Sequence, residues 1–217
     1  MPRFTATIRR SALTFLALGA LLAVSYSQAF DWFGQVAFDQ CSWSDANGAS
    51  SLSHSEAAAL FANDRKQGKQ LPAMTVSCSY SPQFGSNDKT LSKRGLTQTA
   101  EAMDKAVREE FGKLPYGGFE PGGVTTGHIN GSAHYEGRAI DYFFRPYTSK
   151  ANRLAGWQLA QWAVVHADEL DIATVIFDDH IWQRNLSFQG WRPYQHPDGP
   201  TDNPIKRHLD HVHIDVR

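Results

Sequence analysis

The chain has 217 residues, enough for one domain, or one domain behind an N-terminal extension, with a sizeable buried core. Its hydrophobic content of 41% is ordinary for a globular protein, and a formal net charge of -1 lacks the basic excess that a phosphate-tracking surface needs. Nucleic acid is therefore excluded from the expected partners.

Arg3, Arg9 and Arg10 precede an uncharged, mostly apolar run from Ala12 to Tyr26, and Ser27-Gln28-Ala29 offers small residues for cleavage. Residues 1–29 thus read as an export signal of the Sec type. The apolar run is short for a membrane span, so no stable span is expected after cleavage. An uncleaved anchor is the competing reading. Export places Cys41 and Cys78 where thiols oxidise, so the two are expected to pair, closing a loop that contributes about 3 to 4 kcal/mol in the chain-entropy picture. Two separate buried thiols are the alternative.

Phe30 to Phe38 is aromatic, and Cys41 to Ser53, rich in Ser, Gly, Asn and Asp, reads as a loop. Ser53 and Glu56 have capping-box spacing ahead of Ala57 to Phe61, which predicts a helix that Gly68 stops. Alternation of Met74, Val76 and Cys78 predicts a strand over Ala73 to Tyr80. The polar stretch Ser81 to Lys93 separates an extension, residues 30–93, from a main domain, residues 94–217.

Within that domain Leu96, Ala100, Met103, Val107 and Phe111 recur at helical spacing, and the helix closes near Gly112. Pro115 to Gly123 is a turn region, and Ala139 to Phe144 is a strand carrying Asp141. Ala151 to Leu170 forms a second helix with an apolar stripe of Leu154, Trp157, Ala160, Val164 and Ala167. The β-branched run Ile172 to Phe177 suits a central strand, with Ile181-Trp182 pairing back after a turn at Asp178-Asp179-His180. Asn185 to Pro204 is a long loop, of a length that is usually functional or disordered. Its Trp191, Tyr194 and His196 either wall a substrate groove or form a packed aromatic lid.

Eight of the nine histidines lie at or after His128, which concentrates metal-binding chemistry in that half. Ser132-Ala-His134-Tyr-Glu-Gly137-Arg-Ala139-Ile-Asp141 is answered there by His208-Leu-Asp210-His211-Val-His213. Neutral imidazole nitrogen and carboxylate oxygen are ligands of zinc, and catalytic zinc sites use three of them with a fourth position open. His134, Asp141 and His213 are the three candidates. Gly137 lets the chain turn, Ala139 keeps the strand slim, and in a strand His211 and His213 share a face. His166, His180 and His196 read as surface or loop residues, and Arg138 as a surface ion-pair residue.

The pattern Ser-x-His-x-x-Gly-x-Ala-x-Asp followed by Asp-x-x-His resembles the zinc D-Ala-D-Ala carboxypeptidase family. Its relatives include phage L-Ala-D-Glu endolysins, vancomycin-resistance dipeptidases and, more distantly, the Hedgehog signalling domain. All five fixed positions of the first motif are present. The resemblance implies an α+β fold in which helices pack on a small antiparallel sheet with a zinc cleft. It also implies a secreted or cell-envelope metallopeptidase that cuts peptidoglycan peptides, as a D,D-carboxypeptidase or an endopeptidase.

By the same resemblance Asp210 is the general base, which requires a turn before the strand of His211 and His213, and His211 donates to the developing oxyanion. Ser132, His128, His208 and Trp191 are expected to hold the ligands or contact substrate. One departure stands out. Many members carry Gly-Tyr-Arg just before the first motif, where the arginine polarises the scissile carbonyl, and here the segment reads Gly127-His128-Ile129. His128, Arg192 and Arg207 are the candidates to replace it. A non-catalytic, zinc-containing cell-wall binding domain of the same fold is the alternative function, and no oligomeric state is implied.

Overall fold

The computed structural model describes residues 39–46, 48–82 and 89–217, so the expected export signal and Phe30 to Phe38 lie outside the described residues. The described chain from Asp39 to Arg217 gathers into one unit. Its larger sheet has six strands in the order β4 (Tyr116–Gly117), β5 (Ala139–Phe143), β9 (His211–Val216), β6 (Ile172–Phe177), β7 (His180–Gln183) and β8 (Arg192–Pro193). Every neighbouring pair is antiparallel, and the helices pack with this sheet in one core, so the fold is α+β as expected.

Alternation decides what each face of this sheet does. Ile140 and Tyr142 of β5, Val175 and Phe177 of β6, and Val212, Ile214 and Val216 of β9 are fully buried and join the hydrophobic core. The residues between them, Asp141, Ile176, His211 and His213, fall on the other face. One face therefore anchors the fold while the other is free to carry polar chemistry.

Among the described residues three α-helices complete the core. Helix α1 (His54–Lys66) begins with the predicted capping box, in which the Ser53 hydroxyl accepts from the Glu56 N–H while the Glu56 carboxylate accepts from the Ser53 N–H. Helix α2 (Gln98–Phe111) starts after Leu96, because Thr97 caps it by accepting from the Ala100 N–H, and it ends at Gly112. Helix α3 (Lys150–Val165) stops short of the predicted Leu170. Residues 166–170 turn instead, and Asp171 at φ 57° reverses the chain into β6, while Ala167 still packs in the core.

Cys41 to Ser53 is corrected by the structure: it is a hairpin of β1 (Gln40–Asp45) and β2 (Gly48–Leu52), not a loop. Its serines face out while Cys41 and Trp43 alternate inward, a pattern that the turn-forming composition concealed. Strand β3 (Val76–Ser79) pairs with β1 and places Cys41 directly opposite Cys78, and the two form the expected disulfide. The predicted strand from Ala73 begins later because Met74 takes φ 56°.

Buried polar groups tie the smaller sheet to helix α3 and to the larger sheet. The Gln161 side chain accepts from the Val76 N–H (2.8 Å) and donates to the Pro72 carbonyl (2.9 Å), and the Trp182 indole donates to the Cys78 carbonyl (3.0 Å). Left unpaired, each of these buried groups would cost about 1–3 kcal/mol. Among the described residues no helix is long and apolar enough to cross a membrane.

Candidate metal centre

The β5–β9 ladder sets Asp141 directly opposite His213. His134 joins them from a short 3-10 turn, Ala133–Glu136, that precedes β5. The Ser132 hydroxyl caps that turn by accepting from the His134 N–H, and Gly137 closes it in the left-handed conformation at φ 66°. A Cβ on Gly137 would stand 2.5 Å from the Gly95 carbonyl oxygen, so the turn needs glycine for space as well as for φ. The sequence spacing from His134 to Asp141 is thus one tight turn followed by the first half of a strand.

Three donor atoms converge here. His134 Nε2 lies 3.0 Å from His213 Nδ1 and 3.3 Å from Asp141 Oδ1, and His213 Nδ1 lies 3.1 Å from the same Asp141 oxygen. Ligands about 2.0–2.1 Å from a tetrahedral zinc are about 3.3 Å apart, so this N, O, N set is spaced within a few tenths of an ångström of what such an ion needs. The remaining nitrogens are already committed. His134 Nδ1 donates to the Gly118 carbonyl (2.7 Å), and His213 Nε2 donates to the Asp215 carboxylate (3.3 Å). Those bonds fix which nitrogen of each ring faces the centre.

The electrostatics agree. Burial opposes charge on Asp141, but hydrogen bonds and charge from His134 and His213 outweigh it and hold its carboxyl well below the usual carboxylate range. Burial likewise opposes charge on His213, yet Asp141 and Asp215 raise it to about 9. A proton is therefore favoured where a cation would stand, and a bound metal would have to displace it.

Asp210 lies in a bend just ahead of β9, as its expected role requires, with its carbonyl accepting from the Phe144 N–H (2.8 Å). Its side chain points to His211 rather than to the three donors. Oδ1 accepts from His211 Nδ1 (2.8 Å), and Oδ2 accepts from both Nε and a terminal nitrogen of Arg145 (2.7 Å each). Burial resists the Asp210 charge, but these partners hold its carboxyl below the ordinary value. The other ring nitrogen, His211 Nε2, lies 3.8 Å from Asp141 Oδ1.

His128 stacks on His134 with ring centroids 4.0 Å apart, and burial, then the nearby imidazoles, push its pKa down. Both its backbone N–H and its carbonyl bond to the Tyr135 hydroxyl. His208 sits 4.6 Å from the His211 ring and 5.8 Å from the His213 ring, kept neutral by burial and by those neighbours.

Trp191 is placed elsewhere. Its indole donates to the Val76 carbonyl (2.9 Å) and packs edge-on against Trp157, contacts that belong to a packed aromatic arrangement. Arg192 pairs with Gln183 and Arg207 with Asp179, so neither is held at the centre. Arg138 pairs with Glu136 at the surface. His166 pairs with Glu169, and His180 and His196 bond within their own loops.

Three contributors escaped the sequence reading. Asp215 and Arg145 both follow the period of two, His213 to Asp215 and Asp141 through Phe143 to Arg145, so alternation could have found them. Gly118 acts through its carbonyl, for which a sequence holds no signal. The second group of metal-capable side chains, Cys41, His54 and Cys78, is accounted for by the disulfide.

A family model described as VldE, C-terminal domain, matches residues 92–205, slightly more than half of the chain. The match takes in His134 and Asp141 and ends before Asp210, His211 and His213. No curated protein matches the chain, and no solved structure does. The family match supports a D,D-peptidase-like relation in coarse terms. With its first metal-capable segment inside the matched region, this chain belongs to the family of the VldE C-terminal domain.

Proposed function

We propose that the protein is an exported zinc metallopeptidase that hydrolyses peptide bonds of bacterial peptidoglycan. The observation that carries this reading is the convergence of His134 Nε2, Asp141 Oδ1 and His213 Nδ1, with the other nitrogen of each imidazole held by a hydrogen bond, beside the Asp210–His211 pair. The donor set suits zinc, which would supply Lewis-acid polarisation of the scissile carbonyl and acidify a water molecule.

The chain's own residues divide the remaining work. Both Asp210 oxygens are engaged, so the carboxylate works through His211: it holds the ring with Nε2 bare toward the centre, where that nitrogen can accept a proton from the attacking water and return it to the leaving amine. Arg145 keeps Asp210 ionised and anchored. His128 and His208 line the centre as neutral rings that can donate to a developing oxyanion. The expected export signal and the disulfide fit an oxidising compartment outside the cytoplasm.

The Arg145–Asp210 ion pair is also the observation that favours the second reading, a zinc-containing domain that holds cell-wall peptides without cutting them. Digestion of purified peptidoglycan with the zinc-loaded protein, followed by mass spectrometry of the soluble fragments, separates the two. New peptide termini that vanish on chelation establish hydrolysis. Retention of fragments with no new termini establishes binding alone.

A further inference from the structure

The loop before β9 brings His208 to the centre, and it does so from a backbone that needs holding, since His208 takes φ 54°. What holds it is the tip of the β6–β7 hairpin. Asp178 and Asp179 are both left-handed, at φ 53° and 61°, and their N–H groups turn outward to donate to the carbonyls of His208 (2.8 Å) and Arg207 (3.2 Å). The Asp179 carboxylate takes the Arg207 guanidinium at two points, 2.9 and 2.5 Å, and the Asp179 carbonyl accepts from the Tyr194 N–H (2.7 Å). Tyr194 in turn packs edge-on against the His208 ring at 4.9 Å.

The hairpin tip is itself anchored to the core. Asp178 is buried and accepts from Arg153 Nε (2.7 Å) and from the Trp157 indole (2.8 Å) of α3. A path of hydrogen bonds and ion pairs therefore runs from the helix layer through Asp178 and Asp179 to Arg207, and ends at the ring that faces His211 and His213.

We propose that the Asp179–Arg207 ion pair is the device that sets His208 against His211 and His213, making Asp179 and Arg207 positioning residues of the site. The importance of that placement rests on the metallopeptidase reading above. The pair is more than a third exposed on each side, so its contribution to global stability is small, and its effect falls on the loop it docks. Displacing a group beside a reacting centre by about 1 Å can cost about 10²-fold in rate.

The test uses Asp179→Asn, which tolerates the left-handed backbone, Arg207→Gln, and the exchanged pair Asp179→Arg with Arg207→Asp. Nuclear Overhauser contacts between the His208 and His211 rings are measured in each protein, with zinc content, melting temperature, kcat and KM. Both single variants are expected to keep zinc, to melt within about 4 °C of the parent, and to lose the ring-to-ring contact. Their kcat should fall about 10- to 100-fold with KM little changed. The exchanged pair should recover both signals in part.

Unchanged ring contacts in both single variants would overturn the proposal, as would a variant that loses the contact and keeps full kcat. If the exchanged pair does not fold, Arg207→Lys, which keeps the charge and loses the two-point contact, is expected to fall between parent and Arg207→Gln. Equal loss in the two would also overturn it. A parent without peptidase activity would sink the metallopeptidase reading, and the ring contacts would still decide the positioning role.

Discussion

Asp141 and His213 are register partners in the β5–β9 ladder, and their side chains meet at 3.1 Å on the face opposite the core. The same alternation that buries Ile140 and Ile214 brings a carboxylate and an imidazole together from segments 72 residues apart. The site is thus a by-product of sheet register, completed by one turn that adds His134. Losing His134 should leave the sheet intact and remove the metal. We expect His134→Ala to purify folded and nearly zinc-free, and elemental analysis showing parental zinc content would exclude His134 as a ligand.

Metal affinity should depend on pH through His213. Its raised value of about 9 means that below that pH a proton occupies the site and must leave when a cation enters. Affinity should therefore climb about tenfold per pH unit from neutrality toward about 9 and level off above it. In the metal-free protein the linkage has the opposite sense. The stability that the protonated ring contributes is full below the unfolded value near 6.5 and is lost as pH rises through about 9. Zinc titrations and melting curves across that window check both slopes.

Asp215 offers a quieter test, because it touches the ring of His213 and not the centre. Removing its charge should loosen the ring's orientation and weaken zinc binding about 10- to 100-fold, with the fold unchanged. Competition with a chromophoric chelator would measure the loss for Asp215→Asn, and an unaltered dissociation constant would show that the 3.3 Å contact does not orient the ligand.

How much of this was legible depends on whether a residue acts through its own spacing or through its neighbours. Ser53 and Glu56 announce α1 because a capping box is local, and Ile172 to Phe177 announces β6 because a β-branched run needs no partner to identify it. The His134 to Asp141 motif was legible for the same reason: a turn and half a strand fit within one short segment. The β1–β2 hairpin was hidden because its outer face is serine, a residue that also forms turns. The guanidinium that meets Asp210 comes from Arg145, in the segment after the motif, and not from Gly127-His128-Ile129 before it.

Gly118 tests the crowding around the cluster. A Cβ there would lie 2.4 Å from His134 Cε1 and 2.6 Å from Nδ1, at a φ of 83° that side chains rarely adopt. Gly118→Ala should push the ring off its carbonyl acceptor and reduce zinc content, with backbone strain of about 1–3 kcal/mol. Retained zinc at the parental melting temperature would contradict this geometry.

The last prediction turns on Asp210, whose carboxylate is held below its ordinary value, against the pull of burial, by His211 and Arg145. Asp210→Asn should keep zinc, because the residue touches none of the three donors, and should lose about 10² to 10⁴ in kcat as His211 loses the partner that fixes its tautomer. Arg145→Gln should act more gently and reveal itself in the pH profile. Removing the guanidinium takes away part of what lowers Asp210, so its pKa rises and the carboxylate stays ionised only at higher pH. The acid limb of kcat/KM should therefore move toward neutrality, with the plateau reduced less than in Asp210→Asn. The measurement is kcat/KM against pH for the parent and both variants, with zinc determined in every sample. An acid limb that stays in place or moves to lower pH in Arg145→Gln would show that the Arg145 contact does not set the Asp210 charge. A zinc-loaded Asp210→Asn protein that cuts at the parental rate would remove the Asp210–His211 pair from the mechanism altogether.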